Sequence, residues 1–263
     1  MSAAADLALI LQAAHEAGQL AHDLRARGLE VQYKAGNSPV TNADLAADAL
    51  LRERLGSARP DYGWLSEETA DDPARLACRR LFVVDPIDGT RAFLNDRPWW
   101  AVSIAVVEDQ RPIAGVVFAP EVAETYAARV GGGATRNGAP IAPSGVSAME
   151  GCAMAGDPRL FTHPSWPIPW PEMRVEQRSS TAYRMCLVAA GEFDAAVAPV
   201  PKHDWDVAAA DLIASEAGCY VGDHHGRPFR YNGADPVQAS LICATPALAP
   251  LILERVRHIA TAS

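Results

Sequence analysis

Two carboxylates three residues apart, Asp85 and Asp88, stand in the string Asp85-Pro86-Ile87-Asp88-Gly89-Thr90, directly after the apolar run Leu81-Phe82-Val83-Val84. A short apolar run bounded by turn residues reads as a buried strand, so the string is expected to be a turn at that strand's end. Pro86 has a fixed φ and no N–H, which stiffens the turn. A stiff turn can aim both carboxylates and the Ile87 carbonyl at one point. An all-oxygen set of this kind suits a hard cation such as Mg²⁺, which takes near-octahedral oxygen coordination and keeps several waters. Gly89 lets a ligand approach the backbone, and Gly89 and Thr90 could open a helical turn whose N–H groups face a phosphate. The plainer alternative is a turn in which Asp88 caps and Asp85 is merely solvated.

Three more acidic segments are candidates to join this point. They are Glu67 in Ser66-Glu67-Glu68-Thr69, Asp44 in Pro39-Val40-Thr41-Asn42-Ala43-Asp44, and Asp206 in Trp205-Asp206-Val207-Ala208-Ala209. An acid at a helix N-terminus is ordinarily a cap, so Asp44 and Asp206 taken singly imply little. Together the four segments can build a site for two or three metal ions.

With Lys34 ahead of Pro39-Val40-Thr41, and with all four segments in this order and at this spacing, the chain resembles the inositol monophosphatase family. These are Mg²⁺-dependent, lithium-sensitive phosphatases, and the similarity spans nearly the whole chain. The resemblance implies a layered α-β-α-β-α sandwich, an α+β or α/β fold of the inositol monophosphatase and fructose-1,6-bisphosphatase type, commonly dimeric. It implies that Glu67, Asp85 and the Ile87 carbonyl hold one Mg²⁺ and that Asp85, Asp88 and Asp206 hold a second. Glu67 and waters would hold a third. The Gly89 and Thr90 backbone would bind phosphate, while Thr90, oriented by Asp44, and Glu67 would position and deprotonate the attacking water. Metal ions addressing both ends of an in-line displacement fit the slowness of uncatalysed phosphate monoester hydrolysis.

The alcohol is less well marked. Asn37-Ser38-Pro39-Val40-Thr41 and Arg91 resemble bacterial 3'(2'),5'-bisphosphate nucleotidases, and Arg91 also occurs in members similar to histidinol-phosphatases. Pro199 stands where the inositol enzymes place a glutamate. The expected activity is therefore bisphosphate nucleotidase, with inositol-1-monophosphatase and then histidinol-phosphatase as alternatives. A metal-dependent phosphate-ligand sensor is the non-enzymatic alternative. Lys34 is expected to orient water or phosphate, or else to be a solvated lysine. Arg91 would take a second phosphate or pair with Asp96 or another local acid. Ser179, Ser180 and Thr181 would contact the leaving group, or Ser179 would cap a helix.

The elements that must carry these groups follow from periodicity. Leu7, Ile10, Leu11, Ala14 and Leu20 recur at helical spacing, predicting a helix from Asp6 to Gly28. A second helix is predicted from Thr41, as N-cap, to Gly56. Strands are expected at Leu81–Val84, Val102–Val107, Ile113–Phe118 and Thr125–Arg129, as an antiparallel meander. The Pro- and Trp-rich stretch His163–Pro171 reads as a loop. A helix over Ser180–Gly191, a strand at Ala195–Ala198, a helix over Asp206–Ala217, a strand at Ser240–Ala244 and a helix from about Pro246 follow. The alternation divides the chain into an α+β region, 1–148, bearing most metal ligands, and an α/β region, 149–263, supplying Asp206 and the substrate side.

Several other features read as structural. His203-Asp204 lacks a third nitrogen or sulfur ligand at zinc spacing and is expected in a loop flanking Asp206. His224-His225 reads as a solvated hairpin tip. Trp99 and Trp100 read as core or cleft wall, and Gly131–Gly133 as a turn without the phosphate-loop lysine.

Composition bounds the rest. The chain has 263 residues, 49% apolar and 21% charged, with a formal net charge of −9. An acidic chain without a Lys/Arg run argues against nucleic acid polymers and anionic membranes. A small phosphorylated metabolite remains compatible when cations bridge it to carboxylates. Asp6 stands where a signal peptide would carry basic residues, and five scattered cysteines suggest reduced thiols and a cytoplasmic home.

Overall fold

A computed structural model describes residues 2–164 and 166–259. Helices α1 (Ala3–Arg27) and α2 (Asn42–Ala58) open the chain, separated by the antiparallel pair β1 (Val31–Tyr33) and β2 (Pro39–Thr41). Thr41 caps α2 reciprocally: its hydroxyl accepts from the Asp44 N–H and the Asp44 carboxylate accepts from the Thr41 N–H. A sheet of seven strands follows in simple sequence order. Its members are β3 (Gly63–Ser66), β4 (Arg80–Asp88), β5 (Ala101–Glu108), β6 (Arg111–Ala119), β7 (Glu124–Arg129), β8 (Ala134–Arg136) and β9 (Ala139–Pro140). Only the β3–β4 pairing is parallel.

The second sheet has the order β11-β10-β12-β16-β14. It comprises β10 (Ala153–Ala155), β11 (Arg174–Glu176), β12 (Ala195–Ala198), β14 (Tyr220–Gly222) and β16 (Leu241–Ala244). Helices α5 (Thr181–Ala189), α6 (Asp204–Ala217) and α7 (Ala249–Val256) pack on it, with short helices α3 (Thr90–Leu94) and α4 (Pro158–Phe161) elsewhere. A small pair, β13 (Lys202–His203) with β15 (Val237–Gln238), precedes α6.

Side-chain alternation decides the layering. Phe82 and Val84 of β4, and Val102, Ile104 and Val106 of β5, share a core with α1 and α2. The intervening Leu81, Val83, Ala105 and Val107 share a different core with α5 and α6. In the second sheet Ala196 and Cys243 join that same central core, whereas Ala195, Val197 and Ile242 pack with α7. The result is helices, sheet, helices, sheet, helix: the α-β-α-β-α sandwich expected. The central helix layer joins both sheets in one core. Small residues allow it, since a Cβ on Gly115 of β6 would lie 2.8 Å from the Ala209 carbonyl of α6.

Several expected boundaries move. β4 continues through Asp88, so Asp85-Pro86-Ile87-Asp88 lies within the strand and not in a turn after it. The chain turns only at Gly89, with φ 97°, into α3. Helix α2 runs through Gly56 to Ala58, and α6 starts at Asp204, with His203 as its cap. His224 is buried at 1% exposure and not solvated, because both its backbone N–H and Nδ1 meet Ser240 Oγ, at 2.9 and 2.7 Å. All five cysteines are free thiols. Among the described residues, no helix is long and apolar enough to cross a membrane.

Candidate active site

Residues three apart on a regular strand point to opposite faces. β4 breaks this rule where it matters. Asp85 pairs with Ser103 and Asp88 with Ala101, so β4 holds one extra residue against β5. This bulge restores Asp85 and Asp88 to one side, and it tolerates Pro86 inside a strand. Asp206 reaches the same point from the first turn of α6, and the three carboxylates have oxygens within 4.8 Å of one another.

Each acid is held by its surroundings. Asp88 Oδ2 accepts from Ser180 Oγ and the Ala182 N–H, both at 2.6 Å, and Oδ1 accepts from the Thr181 N–H at 3.1 Å. The N-terminus of α5 thus grips this carboxylate. Asp85 Oδ1 accepts from the Ile87 N–H at 3.1 Å, and Asp206 Oδ2 from the His203 N–H at 2.9 Å. Thr90 Oγ1 lies 3.1 Å from both Asp44 Oδ1 and the Ile87 carbonyl oxygen. Glu67 follows β3 directly; its N–H donates to the Val84 carbonyl at 3.2 Å and its carboxylate accepts from Lys34 Nζ at 3.0 Å.

The electrostatics leave the acids short of positive charge. Burial raises the Asp85 pKa well above the usual carboxylate range, and the charges of Glu67, Asp88 and Asp206 add to this. Asp88 is pushed up to about 6 by burial and by Asp206. Asp206 is raised to about 6 by burial, with Lys202 opposing. Buried like charges at this separation are costly without a counter-ion. An oxygen-only set of this density fits a divalent cation.

A family model, the inositol monophosphatase family, matches residues 4–261. The chain belongs to the inositol monophosphatase family. It is a phosphoric monoester hydrolase by that membership, and the acid cluster accords with a metal-dependent family. Relatives with three different activities are about equally similar. A histidinol-phosphatase of Chlorobaculum parvum is 32% identical over 89% of this chain and 92% of its own. An inositol-1-monophosphatase of Rhizobium meliloti is 31% identical over 98% of both. The 3'(2'),5'-bisphosphate nucleotidase CysQ of Escherichia coli O157:H7 is 32% identical over 78% of this chain and 85% of its own. The crystal structure of the extragenic suppressor protein SuhB from Bartonella henselae superposes with a TM-score of 0.83, at 28% identity, over 96% of this chain and 98% of that one.

In this family member a cavity of about 430 Å³ opens on the acid cluster. Glu67, Asp85, Asp88, Gly89, Thr90, Arg91, Ser179 and Asp206 line it. Ser180 and Thr181 do not. They are buried at 0% and 4% exposure: the Ser180 hydroxyl and the Thr181 N–H donate to Asp88, and the Thr181 hydroxyl accepts from Arg184. Lys34 is engaged by both Glu67 and Glu68. Arg91 Nη2 donates to the Asn37 carbonyl at 2.9 Å and not to Asp96, which faces Arg25. Asp204 is no loop residue: it is fully buried in α6 and accepts from the Asn232 N–H and Gln238 Nε2.

Four residues that the later argument uses escaped sequence reasoning. Asp48 on α2 accepts from Ser66 and Thr69 hydroxyls, both at 2.5 Å, and so clamps the segment that carries Glu67. Arg178, Arg184 and Lys202 line the same cavity as the phosphate motif. A signal existed for Arg184, a charge between Tyr183 and Met185 in an otherwise buried helix. Lys202 carried none beyond its nearness to Asp206.

Proposed function

We propose that the protein removes the 3'- or 2'-phosphate of a nucleoside 3'(2'),5'-bisphosphate by direct attack of water, with Mg²⁺ as the metal. The convergence of Asp85, Asp88 and Asp206 within 4.8 Å carries the reading. Glu67, Asp85 and the Ile87 carbonyl would hold one ion; Asp85, Asp88 and Asp206 a second; Glu67 with waters a third. Bound there, Mg²⁺ would supply Lewis-acid charge that makes water a better nucleophile and neutralises the phosphoryl oxygens.

The chain's own groups do the rest. Asp44 is fixed by the Thr41 N–H at 2.8 Å and draws the Thr90 hydroxyl hydrogen toward itself. The Thr90 lone pairs are then directed outward to accept from, and so orient, the attacking water. Glu67 stands on the same cavity wall to take that water's proton. The first N–H groups of α3, unpaired within a helix, meet the phosphoryl oxygens beside Gly89. No histidine or cysteine lines the cavity among the described residues, which favours direct attack by water over a histidine-activated covalent nucleophile.

The cations Arg91, Arg178, Arg184 and Lys202 on the cavity wall favour a substrate with more than one anionic group. Phosphate release with Mg²⁺ from adenosine 3',5'-bisphosphate, inositol 1-phosphate and histidinol phosphate tests the reading. The bisphosphate is expected to lead in kcat/KM by about tenfold, or about 1.4 kcal/mol of transition-state binding. A lead for either monophosphate would remove the nucleotide assignment. Binding without phosphate release from any of the three would point to a sensor.

A further inference from the structure

Of the four cations that line the cavity, two are committed. Arg91 donates to the Asn37 carbonyl, and Arg178 donates to Glu176 at 2.7 Å while lying 4.4 Å over the Trp99 ring. Arg184 and Lys202 differ. Arg184 Nη2 donates to Thr181 Oγ1 at 3.2 Å, but its Nε is buried with no hydrogen-bond partner. Lys202 Nζ makes no hydrogen bond or ion pair among the described residues. Burial lowers both pKa values, and the charges that oppose this belong to Asp88 and Asp206. Once a metal ion neutralises those aspartates, two half-sunk cations are left without an anion, which is costly unless a ligand supplies one.

A second cavity, of about 530 Å³, adjoins the first and shares Asp157, Arg184 and Lys202 with it. Its walls beyond the cations are mainly apolar, from Leu160, Val197, Pro199 and Val200. Asp157 does not answer the cations, since it pairs with Arg159 at 2.6 Å.

We infer that Arg184 and Lys202 form a second-anion subsite on the leaving-group side, with the body of the alcohol lodged in the adjoining apolar cavity. The favoured substrate class is a phosphate ester whose alcohol carries a second phosphate and a ring with apolar surface. An alcohol bearing an ammonium group meets repulsion there, and a fully hydroxylated ring gains little from the leucine, valine and proline walls. The inference rests on the phosphatase reading of the acid cluster but not on a nucleotide being the substrate.

Substrate pairs that differ by one remote phosphate test it: adenosine 3'-phosphate against adenosine 3',5'-bisphosphate, and fructose 1-phosphate against fructose 1,6-bisphosphate. The ratio of kcat/KM within a pair is independent of the folded fraction of a preparation. In the wild type the remote phosphate is expected to raise kcat/KM by about tenfold in at least one pair. Arg184→Met and Lys202→Met should each cut that ratio severalfold, with Arg184→Lys retaining part of it. Ratios near one in both pairs, or ratios untouched by both variants, overturn the subsite while leaving the phosphatase intact. A remote-phosphate preference confined to the sugar pair keeps the anion contact of Arg184 and Lys202 but removes the nucleotide and the apolar seat for the alcohol. Absence of turnover for all four esters, with phosphate still released from inositol 1-phosphate or histidinol phosphate, removes the subsite and leaves the phosphatase.

Discussion

Ser180 Oγ donates to Asp88 Oδ2 at 2.6 Å, linking residues 92 positions apart in the chain. The same Ser180 oxygen accepts from the Tyr183 N–H at 3.0 Å and so caps α5. One hydroxyl therefore fixes both a carboxylate of the acid cluster and the helix that faces it. Ser180→Ala should remove a charge-assisted hydrogen bond and a cap together, costing about 2 kcal/mol of stability. Groups that orient metal ligands alter metal affinity by about 10–100-fold. The Mg²⁺ concentration for half-maximal activity should rise accordingly, with turnover largely regained at saturating metal. An unchanged Mg²⁺ dependence would show that Asp88 needs no such support.

Gly89 is constrained twice. Its φ of 97° disfavours any side chain, and an added Cβ would lie 3.0 Å from the Trp99 carbonyl and 3.2 Å from the Ser180 N. Gly89→Ala should therefore push α3 away from the N-terminus of α5 and disturb Asp88 through Ser180. The strain is worth about 1–3 kcal/mol, which for a chain of this size is a fall in Tm of about 2–10 °C. Activity should fall further than stability does. A variant with wild-type Tm and kcat would mean that the backbone here can relax without cost.

The acid cluster makes a sign-definite prediction about pH. Asp88 and Asp206, raised to about 6, bind protons in the folded state that an unfolded carboxylate has already released above about pH 4. Metal-free stability should therefore decline as pH rises from about 4 through 6 on account of these groups. A divalent cation reverses the sign by favouring the charged forms. The gain in Tm on replacing EDTA with Mg²⁺ should be larger at pH 8 than at pH 5. Equal gains at the two pH values would place the binding elsewhere.

How far the sequence could be read depended on whether each signal was local. The strands of the first sheet were legible because Val102–Val107 and Ile113–Phe118 are apolar runs with turns between them. The layering followed from the family resemblance carried by Glu67, Asp85, Asp88 and Asp206. What stayed hidden was long-range. The β4 bulge depends on pairing with β5, and β3 forms only because Leu65 and Ser66 pair in parallel with Val83 and Val84. His224 looked like a hairpin tip because its partner Ser240 is sixteen residues away. Ser180 and Thr181 read as substrate contacts because nothing local shows that Asp88 lies behind them.

Asp48 belongs to the same hidden class and bears directly on Glu67. Both its carboxylate oxygens are taken by hydroxyls flanking the acid pair, Ser66 on one side and Thr69 on the other. Glu67 itself is tied on its outer side by Lys34, which also binds Glu68. Glu68 is raised to about 7 by burial and by the Glu67 charge, so the segment is under mutual repulsion that Asp48 and Lys34 jointly restrain. Asp48→Ala should release the inner clamp, leaving two hydroxyls to find water, at a cost of about 1–3 kcal/mol. A loosened Glu67 loses its position against Thr90, and misplacement of about 1 Å is worth about 100-fold in rate. The loss should fall mainly on kcat. Asp48→Asn, which can still accept from one hydroxyl, should recover part of it. If Asp48→Ala instead lowered Tm while leaving kcat untouched in the folded fraction, Asp48 would be a scaffold residue without influence on Glu67.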